Sequence, residues 1–246
     1  MTKKVYLAGG SRTATGGFCG AYENTPAPVL GSVVIKAALQ RANIPPAAVE
    51  EVIFVNVLSG GIGQNGARQA ALGAGLNPAV GASTVNKLCG SGLKTVMQAA
   101  QAIQCSDISV AVAGGMENMS RAPYLLEKAR TGYRMGNGEL FDSLLRDGLW
   151  DIYSNLHMGV YGDRCAQKYG FSRQEQDDYS VESFRRAQAA AAQSIFAREI
   201  VPVEVHAGKD VILVKEDETL KKFNEEKLRK LRPAFGKDGT VTAGNA

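Results

Sequence analysis

The chain has 246 residues, 45% hydrophobic and 21% charged, a composition typical of a folded globular protein rather than a disordered one. A net charge of +4, without an aromatic-rich basic tract, gives no indication of nucleic-acid binding and is compatible with an anionic small-molecule partner. No apolar stretch approaches the roughly 18 residues of a membrane span, and the apolar run after the basic start is too short for a signal sequence. Four widely spaced cysteines and two histidines give neither a zinc pattern nor a disulfide framework, so we expect no metal and a reduced, cytoplasmic setting.

Strand and helix patterns alternate over the first half of the chain. Short apolar or β-branched runs predict strands at 5–8, 52–57, 83–86 and 108–113. Apolar residues at helical spacing or alanine-rich stretches predict helices at 30–43, 66–74 and 93–103. This alternation predicts a layered α/β domain with a largely parallel central sheet.

The pattern changes after residue 121, and we expect two domains, 1–121 and 122–246. Residues 122–165 mix glycine, aromatic and charged residues without a clear period, which predicts long, partly irregular connections. Ser172 and Glu175 form a capping box that predicts the start of a long helix. The runs 199–205 and 211–214 predict a hairpin.

Cys89 lies where a predicted strand meets a predicted helix, and Gly90-Ser-Gly92 follows it. Glycines at this point permit a tight turn and a close approach of the helix to the sheet. A helix N-terminus favours a thiolate, and the backbone N–H of such a cysteine is placed to bind an oxyanion. The alternative that residue type alone favours is a small, buried core cysteine. The remaining cysteines lack this context and are expected to be structural: Cys19, Cys105 and Cys165.

The segment Asn86-Lys-Leu-Cys-Gly-Ser-Gly-Leu93 resembles the active-site signature of the thiolases, in particular the short-chain acetyltransferases that act on acetyl-CoA. Further stretches resemble the same family in the same order: Gly63-Gln-Asn-Gly-Ala-Arg-Gln69, Ala113-Gly-Gly-Met-Glu-Asn-Met-Ser-Arg-Ala-Pro-Tyr124, Gly132-Tyr-Arg-Met-Gly136, His157-Met-Gly159, and Arg232-Pro-Ala-Phe235 through Ala246. Six ordered matches are far more specific than any single motif.

The resemblance implies a thiolase-like α/β fold, with one of two similar βαβαβ halves plus a long α+β loop domain. It implies that Cys89 takes an acetyl group from acetyl-CoA, and that a second acetyl-CoA attacks this acyl-enzyme to give acetoacetyl-CoA. CoA thioesters are then the substrates, with no separate cofactor. It also implies a homodimer or homotetramer for the full-length protein, with Gly132–Gly136 in the stretch that resembles the tetramer-forming loop.

The resemblance also supplies candidate CoA-binding residues. His157 and Met158 match a pair that lines the family's substrate pocket, although a lone histidine would otherwise more often be structural. Leu149, Phe235 and Ala243 match apolar CoA contacts. Lys221, in Asp217-Glu-Thr-Leu-Lys221, stands where the family has an arginine near the nucleotide, and it keeps the charge without the planar fork. The charged run 215–232 is otherwise typical of a solvated helix face.

Several motifs of the family's second half are not found here: Asn-Glu-Ala-Phe, Gly-His-Pro and Cys-Gly-Gly-Gly. We therefore expect this chain to represent the first half and the loop region. One alternative is a ketoacyl synthase relative, which the Met-Glu-Asn-Met-Ser-Arg and His-Met-Gly segments disfavour. Another is a non-catalytic CoA-binding or assembly module, which would have no need of the intact cysteine signature.

Overall fold

A computed structural model describes residues 3–246, apart from the side chain of Ala207. The described chain forms two compact units, one made of residues 3–144 and 199–216 and the other of residues 145–198 and 217–246. The division at residue 121 that the sequence suggests stays a prediction. Within the described residues, no helix combines the length and apolar character required to cross a membrane.

Helices and strands alternate in the first part of the chain, and the second part combines mostly two-residue strands with helices of 5 to 20 residues. The α-helices are α1 (Ala27–Ala42), α2 (Gly66–Gly73), α3 (Ser91–Cys105), α4 (Met158–Tyr169), α5 (Arg173–Ala192), α6 (Glu218–Lys222) and α7 (Glu225–Arg229). The strands are β1 (Arg12–Thr13), β2 (Glu51–Val55), β3 (Gly81–Val85), β4 (Ala111–Gly115), β5 (Tyr124–Leu125), β6 (Phe141–Asp142), β7 (Trp150–Asp151), β8 (Leu156–His157), β9 (Ile200–Val201), β10 (Val203–Ala207) and β11 (Asp210–Val214).

The first unit is built on a parallel sheet in the strand order β3-β2-β4, as the alternation predicts. The central strand β2 is apolar, and Val52 and Phe54 on it are buried. Helix α1 packs on α2, and Ile35 of α1 belongs to the same core cluster as these strand residues. Each such buried side chain contributes about 1.5–3 kcal/mol of hydrophobic stabilisation. The sheet and its helices therefore form a firm base for the turn that carries Cys89.

The predicted strand at 5–8 is wrong. Residues 3–11 form no strand, and Tyr6 and Leu7 are 80% and 82% exposed. A cavity of about 270 Å³ is lined on one side by residues 5–11 and on the other by residues 110–115. Because a strand exists only when a neighbouring strand pairs with it, the apolar run alone could not produce one.

The second unit contains the capping-box helix that the sequence predicts. Helix α5 begins after Ser172, whose hydroxyl accepts the Glu175 N–H while the Glu175 carboxylate accepts the Ser172 N–H. The expectation of irregular chain over 122–165 is wrong at its end, since α4 already begins at Met158. The predicted hairpin is confirmed, because β10 pairs antiparallel with β11, and it belongs to the first unit.

Candidate active site

Cys89 lies in the short turn between the end of β3 and the start of α3, and it is exposed. The preceding residue, Leu88, adopts a left-handed backbone conformation with φ of 50°. Such a conformation costs a residue with a Cβ atom roughly 1–2 kcal/mol, so the turn needs neighbouring interactions to hold it. The exposure of Cys89 excludes the alternative of a buried core cysteine.

The interactions that hold this turn come largely from Ser91, the first residue of α3. Its side chain is fully buried, and its hydroxyl accepts the Lys87 N–H at 2.5 Å and donates to the Leu88 carbonyl at 2.6 Å. The Leu88 N–H donates to the side-chain oxygen of Asn86 at 3.0 Å. These bonds hold the N–H groups of Lys87 and Leu88 and the Leu88 carbonyl, and so they brace the turn that carries Cys89.

Exposure alone does not distinguish Cys89, because all four cysteines are free and exposed. Their positions in the fold do. Cys105 is the last residue of α3, and Cys165 lies inside α4. Cys19 lies in a turn, with its N–H bonded to the Ser120 hydroxyl. Only Cys89 stands just ahead of a long helix.

An aromatic cluster forms in the second unit around His157. The Phe235 ring stacks on the His157 ring, with centroids 4.6 Å apart and an interplanar angle of 19°. Trp150 meets His157 edge-on, at 6.3 Å and 84°. The hairpin of β7 and β8 pairs Trp150 with His157 directly, which explains their proximity. The family resemblance predicts His157 and Phe235 as CoA-binding residues, whereas nothing in the sequence singles out Trp150.

His157 is also the N-cap of α4. Its Nδ1 accepts the Gly159 N–H at 2.9 Å, so the ring proton lies on Nε2, the atom left to donate to a ligand. Met158, the first residue of α4, is 49% exposed. The pair thus presents one hydrogen-bond donor and one flexible apolar side chain at the start of a helix.

In each unit, one carboxylate accepts several hydrogen bonds that hold nearby chain in position. In the first unit, Glu117 accepts the N–H groups of Val57 and Leu58 and the Asn56 amide, and burial raises its pKa. In the second unit, hydrogen bonds from the Ser154 and Tyr161 hydroxyls lower the pKa of Asp151 to about 2. Asp151 lies in β7 beside Trp150, so this network braces the hairpin that carries the aromatic cluster.

The other predicted CoA-binding residues lie outside the aromatic stack. Leu149 ends a π-helical turn directly before Trp150, Ala243 is exposed near the end of the chain, and Lys221 is exposed on α6. Several neighbouring basic groups of the charged run are held in ion pairs: Lys222 with Glu218, Arg229 with Asp178 and Glu225, and Lys230 with Glu226. The run therefore neutralises itself in part, and a nucleotide-binding role for Lys221 stays a prediction.

Cys89 belongs to the first compact unit and the six candidate CoA-binding residues to the second. Whether they form one site stays a prediction. Residues 3–246 hold no group of three or more side chains suited to a metal ion. The arrangement offers an exposed thiol at a helix start and, separately, an aromatic surface with a hydrogen-bond donor.

Comparison with known proteins identifies the family. A model of the thiolase N-terminal domain matches residues 5–246. The chain belongs to the thiolase family. Among similar thiolases, acetyl-CoA acetyltransferase 2 of Arabidopsis thaliana is 52% identical over 99% of this chain. The acetyl-CoA acetyltransferases of Escherichia coli K12 and Cupriavidus necator are 50% and 49% identical over 99% and 98% of it.

This thiolase chain spans about three fifths of those relatives: 61% of the Arabidopsis protein and 62% of each bacterial one. The family membership and the thiolase-like α/β fold therefore agree with the resemblance seen in the sequence.

Proposed function

We propose that this chain is the nucleophile-bearing part of an acetyl-CoA C-acetyltransferase, and that Cys89 is the nucleophile that holds the acetyl group as a thioester. The observation that carries the proposal is the position of Cys89, exposed at a braced turn immediately ahead of α3. The names of the relatives support acetyl-CoA as the acyl donor. CoA thioesters serve as substrates, with no separate cofactor.

The first step is a thioester exchange. The Cys89 Sγ thiolate attacks the acetyl carbonyl carbon, and the bond from that carbon to the CoA sulfur breaks, releasing CoA thiolate. Backbone N–H groups of the turn and of the helix start are suited to the oxyanion of the tetrahedral intermediate. A thiolate is both a strong nucleophile and a good leaving group, which suits it to receiving and passing on the acetyl group.

The second step forms a carbon–carbon bond. Loss of a methyl proton from a second acetyl-CoA gives an enolate, whose carbon attacks the acetyl-Cys89 carbonyl and expels the cysteine thiolate, yielding acetoacetyl-CoA. The reverse sequence is thiolysis. Two proton transfers need a base: one takes the proton of the Cys89 thiol before the first step, and the other takes the methyl proton of the second acetyl-CoA. Each base contributes roughly 10²–10⁴-fold in rate. Among residues 3–246, no histidine or carboxylate hydrogen-bonds to the Cys89 sulfur, and we propose that the bases come from the rest of a longer enzyme.

The site on the second unit is proposed to bind the CoA arm. The His157 Nε2–H suits an amide carbonyl of pantetheine, and the apolar side chains of Phe235 and Met158 suit its apolar groups. A homodimer or homotetramer is proposed for the complete enzyme. A cytoplasmic setting is proposed as well, and the four unpaired cysteines support it.

The test joins this chain to the remaining segment of the Escherichia coli relative and follows the loss of acetoacetyl-CoA absorbance when CoA is added. We expect turnover in the joined protein, none in its Cys89→Ser variant, and none above background in the 246-residue chain alone. The joined protein is incubated with acetyl-CoA, quenched with acid and digested. Mass spectrometry should then find the acetyl group on the Cys89 peptide. An acetyl group on another cysteine, or turnover that survives Cys89→Ser, would refute the proposal. Binding of CoA without any acetyl transfer would favour the non-catalytic alternative.

A further inference from the structure

One face of α4 receives a later segment of the chain. Gly159, Gly162 and Asp163 lie at positions i, i+3 and i+4, which places them on the same side of the helix. A Cβ atom added to Gly162 would come within 3.1 Å of Val241, and one added to Gly159 would come within 2.2 Å of the Phe235 ring. The two glycines thus make room for the segment 234–241, and Asp163 is the polar group on that face.

Asp163 binds this segment through its backbone. Its Oδ1 accepts the N–H groups of Thr240 and Val241 at 2.7 and 2.9 Å. Gly239 lies directly on the carboxylate, since a Cβ atom there would come within 2.4 Å of Oδ2. Oδ2 itself is buried and has no hydrogen-bond partner among residues 3–246. The carboxylate is therefore enclosed by the segment, and one of its oxygen atoms makes both bonds.

The hold of Asp163 on Val241 extends to Phe235. The Ala234 N–H donates to the Val241 carbonyl at 2.9 Å, which closes residues 234–241 into a loop. Val241 is buried, so this end of the loop is fixed both by packing and by the Asp163 carboxylate. Phe235 is the next residue after Ala234, and it stacks on His157. All of these contacts are made between residues of the second unit.

We propose that Asp163 is a positioning residue for CoA binding: by closing the loop 234–241 onto α4, it holds Phe235 against His157 before the ligand arrives. A surface that is already ordered costs less to bind than one that must be ordered by its ligand. This proposal rests on the proposed function, because it assumes that Phe235 and His157 contact CoA. The part played by Asp163 is that of a backbone acceptor, so the Oδ1 atom matters more than the negative charge.

The experiment measures CoA binding by calorimetry for the 246-residue chain and three variants. Asp163→Ala removes the acceptor, whereas Asp163→Asn keeps an oxygen in the Oδ1 position at nearly the same volume. Glu182→Ala is the matched control, since Glu182 is an exposed carboxylate of α5 whose ion-pair partner is Arg186 of the same helix. Emission of Trp150, the single tryptophan, reports on the aromatic cluster in each variant.

We expect Asp163→Ala to weaken CoA binding about tenfold and to change Trp150 emission, because the free energy of ordering the loop then reduces the free energy of binding. Asp163→Asn and Glu182→Ala should stay within about threefold of the original chain, a difference small against that ordering cost. CoA binding by Asp163→Ala as tight as that of the unaltered chain would overturn the inference and leave the proposed function standing. An equal loss in Asp163→Asn would overturn it too, since the charge would then matter. If the unaltered chain binds no CoA, the result contradicts the proposed CoA site and, with it, this inference.

Discussion

The backbone of Gly159 lies directly beneath the ring of Phe235, so close that a Cβ atom added to Gly159 would come within 2.2 Å of two ring atoms. The same ring stacks on His157, two residues before Gly159 in the chain. Helix α4 thus starts with a histidine that caps it and a glycine that admits the partner of that histidine. The absence of a side chain at residue 159 is what allows the aromatic pair to form.

Gly159→Ala is therefore expected to push Phe235 away from His157 and to lower stability. On an unobstructed helix the same change raises stability, by up to about 1 kcal/mol. Gly92→Ala is the matched control, since Gly92 also occupies the second position of a helix and a Cβ atom there would meet nothing within 4 Å. Thermal unfolding of the two variants should shift in opposite directions. A rise in both would show that the ring has room to move.

Cys89 is expected to be the first of the four thiols to react with limiting iodoacetamide at neutral pH. All four are exposed, so the difference should come from their positions, and of the four only Cys89 lies in a turn immediately ahead of a long helix. Peptide mapping by mass spectrometry gives the order of labelling, and the urea-unfolded chain, in which the four should react alike, is the control. Preferential labelling of Cys19, Cys105 or Cys165 in the folded chain would contradict this expectation.

Ser91→Ala should reduce that preference for Cys89, because it leaves the partly buried Lys87 N–H without its acceptor and releases the left-handed turn. The expected loss of stability is about 1–3 kcal/mol. Thr95→Val removes another buried hydroxyl of α3, one that bonds to Gly92 and Gly114 carbonyls rather than to the turn. It should cost similar stability while leaving Cys89 the fastest thiol. Equal labelling patterns in the two variants would show that the Ser91 hydroxyl does not control the reactivity of Cys89.

Asp151 is expected to lose its charge only in strong acid, since hydroxyl hydrogen bonds lower its pKa from 3.8 to about 2. Because the folded-state pKa is the lower one, the stabilisation is present above pH 3.8 and is lost as the pH falls toward 2. Tyr161→Phe removes one donor and should raise the pKa of Asp151, as read from its carboxyl NMR shift. Tyr153→Phe is the control, since the Tyr153 side chain is 93% exposed and only its backbone N–H reaches Asp151. An unchanged titration in Tyr161→Phe would show that the hydroxyl does not bind the carboxylate in solution.

The chain is expected to self-associate through the outer face of α3. Leu93 and Met97, one turn apart on that face, are 71% and 48% exposed, and contiguous exposed apolar surface favours association. Light scattering should show particles larger than one chain, and Leu93→Lys with Met97→Lys should reduce their size. Tyr179→Lys, at an 80% exposed position of α5, is the control and should have no such effect. A stable monomer of the unaltered chain would contradict the expectation.

Local sequence signals predicted the elements whose formation depends on their own residues. The helix α1 ends where Asn43 adopts the left-handed conformation, and α5 starts at a capping box. The strand at 5–8 failed because pairing depends on a distant edge of the sheet. Helix α4 was missed because its glycines hide the helical period, although those glycines exist to receive the segment 234–241.

The candidate site divides along the same line. Cys89 could be found from its glycine-rich neighbourhood, and His157 and Phe235 only from a family resemblance. Trp150 and Asp163 carry no local signal, since Trp150 meets His157 through the pairing of β7 with β8 and Asp163 binds Thr240, 77 residues further along the chain. Contacts of that kind follow from tertiary packing, which a single sequence does not display.

The cavity beside β4 has a consequence for how this chain behaves at high concentration. Within the described residues, β4 pairs only with β2, and its other edge faces the cavity. The strand Ala111-Val-Ala-Gly-Gly115 has no charge and no proline, two of the devices by which proteins protect such an edge. An extended segment of another chain can add to it by backbone hydrogen bonds alone. During overproduction, therefore, the yield of soluble chain should depend on how quickly this edge is covered after synthesis, and a lower growth temperature or a chaperone should raise it.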